Sequence, residues 1–291
     1  MRIKAYAKIN LGLDVTGKRP DGYHEVKMVM QTVDIADELT IEKTEGGIEV
    51  FSDCGELPGD ENNLAYKAAK LMVDEYGIGE GVKVTLKKRI PIAAGMAGGS
   101  TDAAGVMNGI NELFKLKLKP EELQKQGVKL GADVPYCITG GTVLAEGIGE
   151  KLTPLRSVSQ CVLLVAKPEI NVSTGYVYEH LDAEPDYDHP DIDGMVRALE
   201  DGNLDGVVRR LGNVLENVTQ KKYPVVEEIR DAMNAGGAKG SMMSGSGPSV
   251  FGIFDTILKA QEAERLIRNS NLAQQVFVTR FVDRSWRRMD G

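Results

Sequence analysis

A chain of 291 residues that is 42% hydrophobic and 27% charged has the composition of a folded protein with apolar residues enough for one large or two ordinary domains, which excludes a disordered polypeptide. A formal net charge of −8 and a pI near 5.1 exclude a general binder of nucleic acid or of anionic membrane surfaces, because phosphates attract basic faces. Three cysteines, Cys54, Cys137 and Cys161, show neither a C-x-x-C pair nor metal-ligand spacing, so a disulfide scaffold and a zinc module are excluded and a reducing cytoplasm is expected.

Ile3, Ala5, Ala7, Ile9, Leu11, Leu13 and Val15 alternate with polar neighbours that include Lys4, Lys8 and Asn10. This period of two predicts a half-buried strand with Lys8 and Asn10 on its other face. It is not the apolar run of a secretory signal, and no later run is long enough to span a bilayer, so a soluble protein without a membrane partner is expected. Gly17-Lys18-Arg19-Pro20-Asp21-Gly22 has turn composition, and residues 26–33 and 39–50 predict two more strands. Asn62 and Asn63 are suited to cap a helix whose apolar Leu64, Ala65, Ala68, Leu71 and Met72 recur at helical spacing. Val82, Val84 and Leu86 then alternate as a strand.

The most informative stretch follows: Pro91-Ile92-Ala93-Ala94-Gly95-Met96-Ala97-Gly98-Gly99-Ser100-Thr101-Asp102. Beyond it, Ala103, Val106, Met107, Ile110, Leu113 and Phe114 keep the spacing of an amphipathic helix, so the local order is strand, glycine loop, helix. Small residues let the backbone approach a phosphate, and the first turn of the helix presents unpaired N–H groups with a partial positive charge. A triphosphate such as ATP can be held there without many lysines, which reconciles an acidic chain with an anionic ligand. The loop is neither a Walker A sequence nor a dinucleotide G-x-G-x-x-G, and a tight packing turn is the plain alternative. A serine-hydrolase reading of Ser100 fails, since Gly98-Gly99-Ser100-Thr101-Asp102 lacks the closing glycine of G-x-S-x-G.

Gly131-Ala132-Asp133-Val134-Pro135 sets one carboxylate among small and apolar residues, the setting of a base beside a cleft or of a turn-capping aspartate. Were Lys8 to converge on Asp133, the ammonium would polarise a substrate hydroxyl and the carboxylate would take its proton during phosphoryl transfer, with Mg²⁺ bridging the phosphates. For Lys8 the alternative is an exposed strand lysine. Residues 153–160 form a polar connector, at which an α+β two-domain chain is expected to divide into 1–155 and 156–291. The second half predicts a strand at Cys161-Val162-Leu163-Leu164-Val165-Ala166, helices at 225–233 and 258–267, a strand at 249–254 and a last strand at 275–282. Six acidic residues between Asp182 and Asp193, and the Arg284, Arg287, Arg288 cluster, are expected to be solvated.

Lys8-Ile9-Asn10-Leu11, residues 91–104 and Ser244-Gly245-Ser246-Gly247-Pro248 resemble, in order and spread, the three motifs of the GHMP kinases. Within them, Arg19-Pro20-Asp21-Gly22-Tyr23-His24 and Gly131-Ala132-Asp133-Val134-Pro135 resemble the branch that phosphorylates the 2-hydroxyl of a diphosphocytidyl methylerythritol in non-mevalonate isoprenoid synthesis. The resemblance implies the GHMP kinase fold, with a ribosomal-protein-S5-like N-terminal α/β domain, a ferredoxin-like C-terminal domain and the site between them. It implies ATP as donor, a small-molecule acceptor, and Lys8 and Asp133 as the catalytic pair. It further implies that Tyr23 and His24 hold cytosine, with Tyr178 over the other face, that Asn10 and Thr174 lie near the erythritol and diphosphate, and that Asn63 lies near adenine. Many members carry paired serines where this chain has Gly98-Gly99, which leaves Ser100 as the candidate Mg²⁺ ligand. Monomer and homodimer are both compatible with the sequence.

Overall fold

The structure, a computed structural model, describes residues 1–157, 161–183 and 187–290. The chain opens with β1 (Arg2–Lys18) and β2 (His24–Thr44), joined by the expected turn, in which Arg19 N–H donates to the Tyr23 carbonyl (2.7 Å). Then come β3 (Ile48–Ser52), α1 (Leu64–Glu75), β4 (Gly81–Lys87), α2 (Gly98–Leu113), α3 (Pro120–Gly127), α4 (Val134–Thr139), β5 (Thr142–Gly147) and β6 (Lys151–Pro154). The second half runs through β7 (Val162–Lys167), α5 (Thr174–Ala183), α6 (Ile192–Glu200), α7 (Leu204–Val208), β8 (Gly212–Asn213), α8 (Glu216–Lys222) and α9 (Val225–Ala235). It closes with β9 (Gly240–Met243), β10 (Val250–Phe254), α10 (Ile257–Asn269), β11 (Gln275–Thr279) and β12 (Trp286–Arg288). Part of the connector at 153–160, and part of the acidic run, lie outside the described residues.

Among the described residues the strands form two sheets, one of eight with the central order β12-β1-β2-β4-β3 and one of four, β11-β7-β10-β9. Three expectations need correction. The two strands predicted at 26–33 and 39–50 are one 21-residue strand to Thr44, followed by β3. Its polar interior is tolerated because Asp37 accepts from the amides of Arg89 (2.5 Å) and Ile90 (2.9 Å) and so has no need of water. The strand serves two neighbours along one edge, β5 at Val26–Gln31 and β4 at Glu38–Thr44. At the other end of the chain, β11 stops at Thr279, and β12 returns antiparallel to β1.

The third correction concerns β1, which is buried on both faces instead of one. Ile3, Ala5, Leu13 and Val15 join the core beneath α1 and α2, whereas Ala7, Ile9 and Leu11 join a second core with Leu163 and Val165 of β7 and Phe251 and Ile253 of β10. The strand changes core where its register with β2 slips, between Tyr6 and Lys8 and between Asn10 and Gly12. The second core therefore joins the two sheets to each other. Glycine on α2 lets helix and sheet meet closely: a Cβ at Gly109 would collide with Ile41 of β2.

Candidate active site

Between β4 and α2 the backbone takes left-handed conformations at Ala93 (φ 49°), Gly95 (φ 71°) and Ala97 (φ 57°). For the two alanines this costs about 1–2 kcal/mol each, a strain of the kind that collects at ligand sites. Ala97 is the residue before α2 and has no side chain to cap it. The first bond of the helix comes only from Thr101 N–H to the Ala97 carbonyl (2.8 Å), so the amides of Gly98, Gly99 and Ser100 find no protein acceptor among the described residues. They point from the helix tip towards a cavity of about 860 Å³, whose wall includes residues 91–95, Ala97, Gly98, Gly99 and Ser100. Met96 and Thr101 stand behind that wall: Met96 is in the second core, and the Thr101 hydroxyl donates to the Tyr6 carbonyl (3.2 Å). Asn63 also lines the cavity while capping α1, its Oδ1 accepting from Ala65 N–H (2.9 Å).

The three separated motifs meet at this point. Lys8 N–H donates to the Met96 carbonyl (3.2 Å), Asn10 N–H donates to the Ser244 hydroxyl (3.3 Å), and that hydroxyl donates to the Gly95 carbonyl (3.0 Å). The approach is so close that a Cβ on Gly95 would strike the Ser244 carbonyl oxygen. Asn213 of β8 ties the second glycine loop down by donating to the carbonyls of Met243 (2.9 Å) and Gly245 (2.8 Å), a role that no local sequence signal marks.

The register slip in β1 turns the Lys8 side chain inward, where it is 5% exposed and not the solvated strand lysine of the alternative reading. Its ammonium donates to Asn10 Oδ1 (2.8 Å) and lies 3.6 Å from Asp133 Oδ2. Asp133 is the residue before α4, yet its side chain caps nothing; only its carbonyl is engaged, by Cys137 N–H (3.0 Å). The carboxylate is thus left for the cavity, which both residues line. Cys137, directly behind, is no rival nucleophile, because burial, with the Asp133 charge second, pushes its thiol up to about 12.

At the far end of the cavity Tyr23 is 58% exposed, while the His24 ring stacks on Tyr178 of α5 at 4.7 Å between centroids. Burial, followed by the Asp133 charge, raises the Tyr178 hydroxyl above its ordinary value, so it stays protonated. The Thr174 hydroxyl shares a hydrogen bond with Ser246 (2.9 Å), which joins α5 to the second glycine loop. Asp182, expected in a solvated run, belongs instead to α5 and binds His24 and Lys18. Of the described remainder of that run, Asp191 caps α6 and pairs with Arg210 (2.9 Å), Asp193 pairs with Lys27 of β2 (2.6 Å), and Asp188 is exposed.

A buried cluster also escaped the sequence reading. Lys88 bridges Asp37 and Asp102, the latter at 2.5 Å, beneath the first turn of α2. Burial works against the ammonium, but the two carboxylates override it and hold its pKa above the ordinary value. Burial, reinforced by Asp37 and opposed by Lys88, drives Asp102 well above the usual carboxylate range. One Asp102 oxygen is buried without a hydrogen-bond partner, and Ser100 and Asp102 both line the cavity. These are hard oxygen donors of the kind Mg²⁺ takes alongside phosphate and water. Among the described residues no cluster of three or more His, Cys, Asp or Glu is placed to hold a metal without such help. Nor is any described helix long and apolar enough to cross a membrane.

Known proteins resemble this chain along most of its length. Residues 63–141 match the family model of the GHMP kinases N terminal domain and residues 195–271 that of the GHMP kinases C terminal. A 4-diphosphocytidyl-2-C-methyl-D-erythritol kinase of Clostridium perfringens is 49% identical over 284 residues, covering 97% of this chain and 99% of its own. A protein of the same name from Lachnoclostridium phytofermentans is 49% identical over 282 residues, with 97% of each covered. A crystal structure of 4-(cytidine 5′-diphospho)-2C-methyl-D-erythritol kinase superposes with a TM-score of 0.80 at 32% identity, over 97% of this chain and 99% of that one. A homoserine kinase of Cytophaga hutchinsonii reaches the same TM-score of 0.80 at 20% identity, over 99% and 96% of the two chains, a likeness of fold alone. With relatives this similar along almost its whole length, the chain belongs to the GHMP kinases, in the family of the 4-diphosphocytidyl-2-C-methyl-D-erythritol kinases.

Proposed function

We propose that this protein transfers the γ-phosphoryl group of ATP to the 2-hydroxyl of 4-(cytidine 5′-diphospho)-2-C-methyl-D-erythritol, a step of non-mevalonate isoprenoid precursor synthesis. The observation that carries the reading is the Lys8–Asp133 pair, 3.6 Å apart, on the wall of a cavity that runs from the amides at the tip of α2 to the ring of His24.

The amides of Gly98, Gly99 and Ser100 bind the phosphates of ATP and take up the charge that grows on the leaving diphosphate. The region beside Asn63 receives adenine. Asp133 accepts the proton of the attacking hydroxyl as its oxygen bonds to the γ-phosphorus and the bond to the β,γ-bridging oxygen breaks, releasing ADP. Lys8, oriented by Asn10, holds the attacking oxygen in line and stabilises its developing charge. Ser100 and the free oxygen of Asp102 would hold Mg²⁺, which when bound neutralises phosphate charge. Tyr23, His24 and Tyr178 bind cytosine, and Asn10 and Thr174 lie beside the rest of the acceptor. Residues 1–155 supply the ATP loop and catalytic pair, and residues 156–291 complete the acceptor pocket.

The reading is tested by measuring phosphate transfer from ATP to a panel of small alcohols. Turnover is expected with the cytidine diphosphate compound and not with mevalonate or homoserine; a preference for either of the latter overturns it.

A further inference from the structure

The His24 ring is held from two sides. Its face stacks on Tyr178 at 4.7 Å with 29° between the planes, and its Nε2 lies 2.7 Å from Asp182 Oδ1. The second oxygen of the same carboxylate accepts from the Lys18 ammonium (2.5 Å). His24, Lys18, Tyr178 and Asp182 all line the cavity, and Nδ1 of His24 has no hydrogen-bond partner among the described residues.

A carboxylate accepts only, so Nε2 must carry the proton in this bond. Lys18, followed by His24, holds Asp182 below the usual carboxylate range, so it is ionised at neutral pH. A neutral ring protonated at Nε2 has a lone pair at Nδ1.

We infer that Asp182 is a positioning residue that fixes His24 with Nδ1 bare, and so makes the site select a base offering an amino group, cytosine, over one offering a carbonyl, uracil. The inference rests on the proposed cytidine-bearing acceptor. At the position where cytosine has its 4-amino group, uracil turns an oxygen lone pair towards Nδ1, and a polar group left unpaired in this way is the strong form of discrimination. Lys18 and His24 bracket the turn at the β1–β2 hairpin, and Asp182 comes from α5 in the other half of the chain, so the contact also joins the two sides of the acceptor pocket.

The test has two parts. In the ligand-free wild-type protein, the ¹⁵N resonances of the His24 imidazole are expected to show Nε2 protonated and Nδ1 bare; Nδ1 protonation in the wild type overturns the inference whatever any variant does. Kinetics with the cytidine acceptor and its uridine analogue are then compared in the wild type, in Asp182→Ala and in the isosteric Asp182→Asn. We expect the cytidine KM to rise about tenfold to fiftyfold in Asp182→Ala, as for loss of a hydrogen bond to a charged group, with kcat within about threefold. The cytidine-to-uridine preference in kcat/KM is expected to shrink by at least about tenfold in both variants. A preference kept undiminished in both overturns this inference alone. A wild-type enzyme that turns over the two bases equally likewise overturns this inference alone, whereas one that turns over neither overturns the proposed acceptor as well.

Discussion

Lys8 shows how much one residue's meaning depends on its surroundings. A lysine on an alternating strand is ordinarily solvated, yet here it is 5% exposed and, among the described residues, its ammonium engages only Asn10 and Asp133. An ammonium is held so far from water only where a carboxylate and a hydrogen-bond acceptor replace the lost hydration. Asp133, in turn, stands at the head of α4 without capping it, which leaves its oxygens free to take a proton. Asp133→Asn keeps the size and removes the base. We expect kcat to fall by about two to four orders of magnitude while ATP affinity changes little, measured by coupled ADP release and by nucleotide titration. A variant with the wild-type rate removes Asp133 from the mechanism.

At the scale of elements, the ATP loop is shaped by what presses on it from the other half of the chain. Gly95 has φ 71° and accepts the Ser244 hydroxyl at 3.0 Å, with no room for a side chain against the Ser244 carbonyl. Gly95→Ala must therefore either move the second glycine loop or distort the first. The expected outcome is a loss of about 1–3 kcal/mol in urea unfolding together with a raised KM for ATP. Unchanged values of both would show that the two loops do not depend on each other. The glycines and small residues at 91–101 announced this element, and the amphipathic spacing of α2 announced the helix behind it. The Lys88–Asp37–Asp102 cluster was hidden, since its members are 14 and 51 residues apart from Lys88 and each alone reads as a surface charge.

At the scale of the whole molecule, the second core joins the sheets, with Ala7, Ile9 and Leu11 on one side and Leu163, Val165, Phe251 and Ile253 on the other. β12 returns to pair with β1, and the one tryptophan, Trp286, sits in that strand. A mutation in the four-stranded sheet should thus be felt at the edge of the eight-stranded one. Phe251→Ala is expected to cost about 3–5 kcal/mol and to shift the unfolding of Trp286 fluorescence and of far-ultraviolet circular dichroism together. Two separate transitions, with Trp286 keeping its wild-type midpoint, would mean that the halves unfold independently.

The three motifs, the strand–loop–helix order, the cap at Asn63 and the period of α2 were determined within windows of a dozen residues, because backbone dihedrals, capping and apolar spacing act over that range. Only the tertiary structure decided that β1 would serve two cores, that 26–33 and 39–50 would be one strand to Thr44, and that Asp182 would leave the acidic run to bind His24. Those outcomes rest on partners far along the chain, from the 52 and 53 residues that separate Asp37 from the amides of Arg89 and Ile90 to the 158 between His24 and Asp182. Whether a charge meets water or a partner is decided by packing between such distant segments, and local sequence carries no record of it.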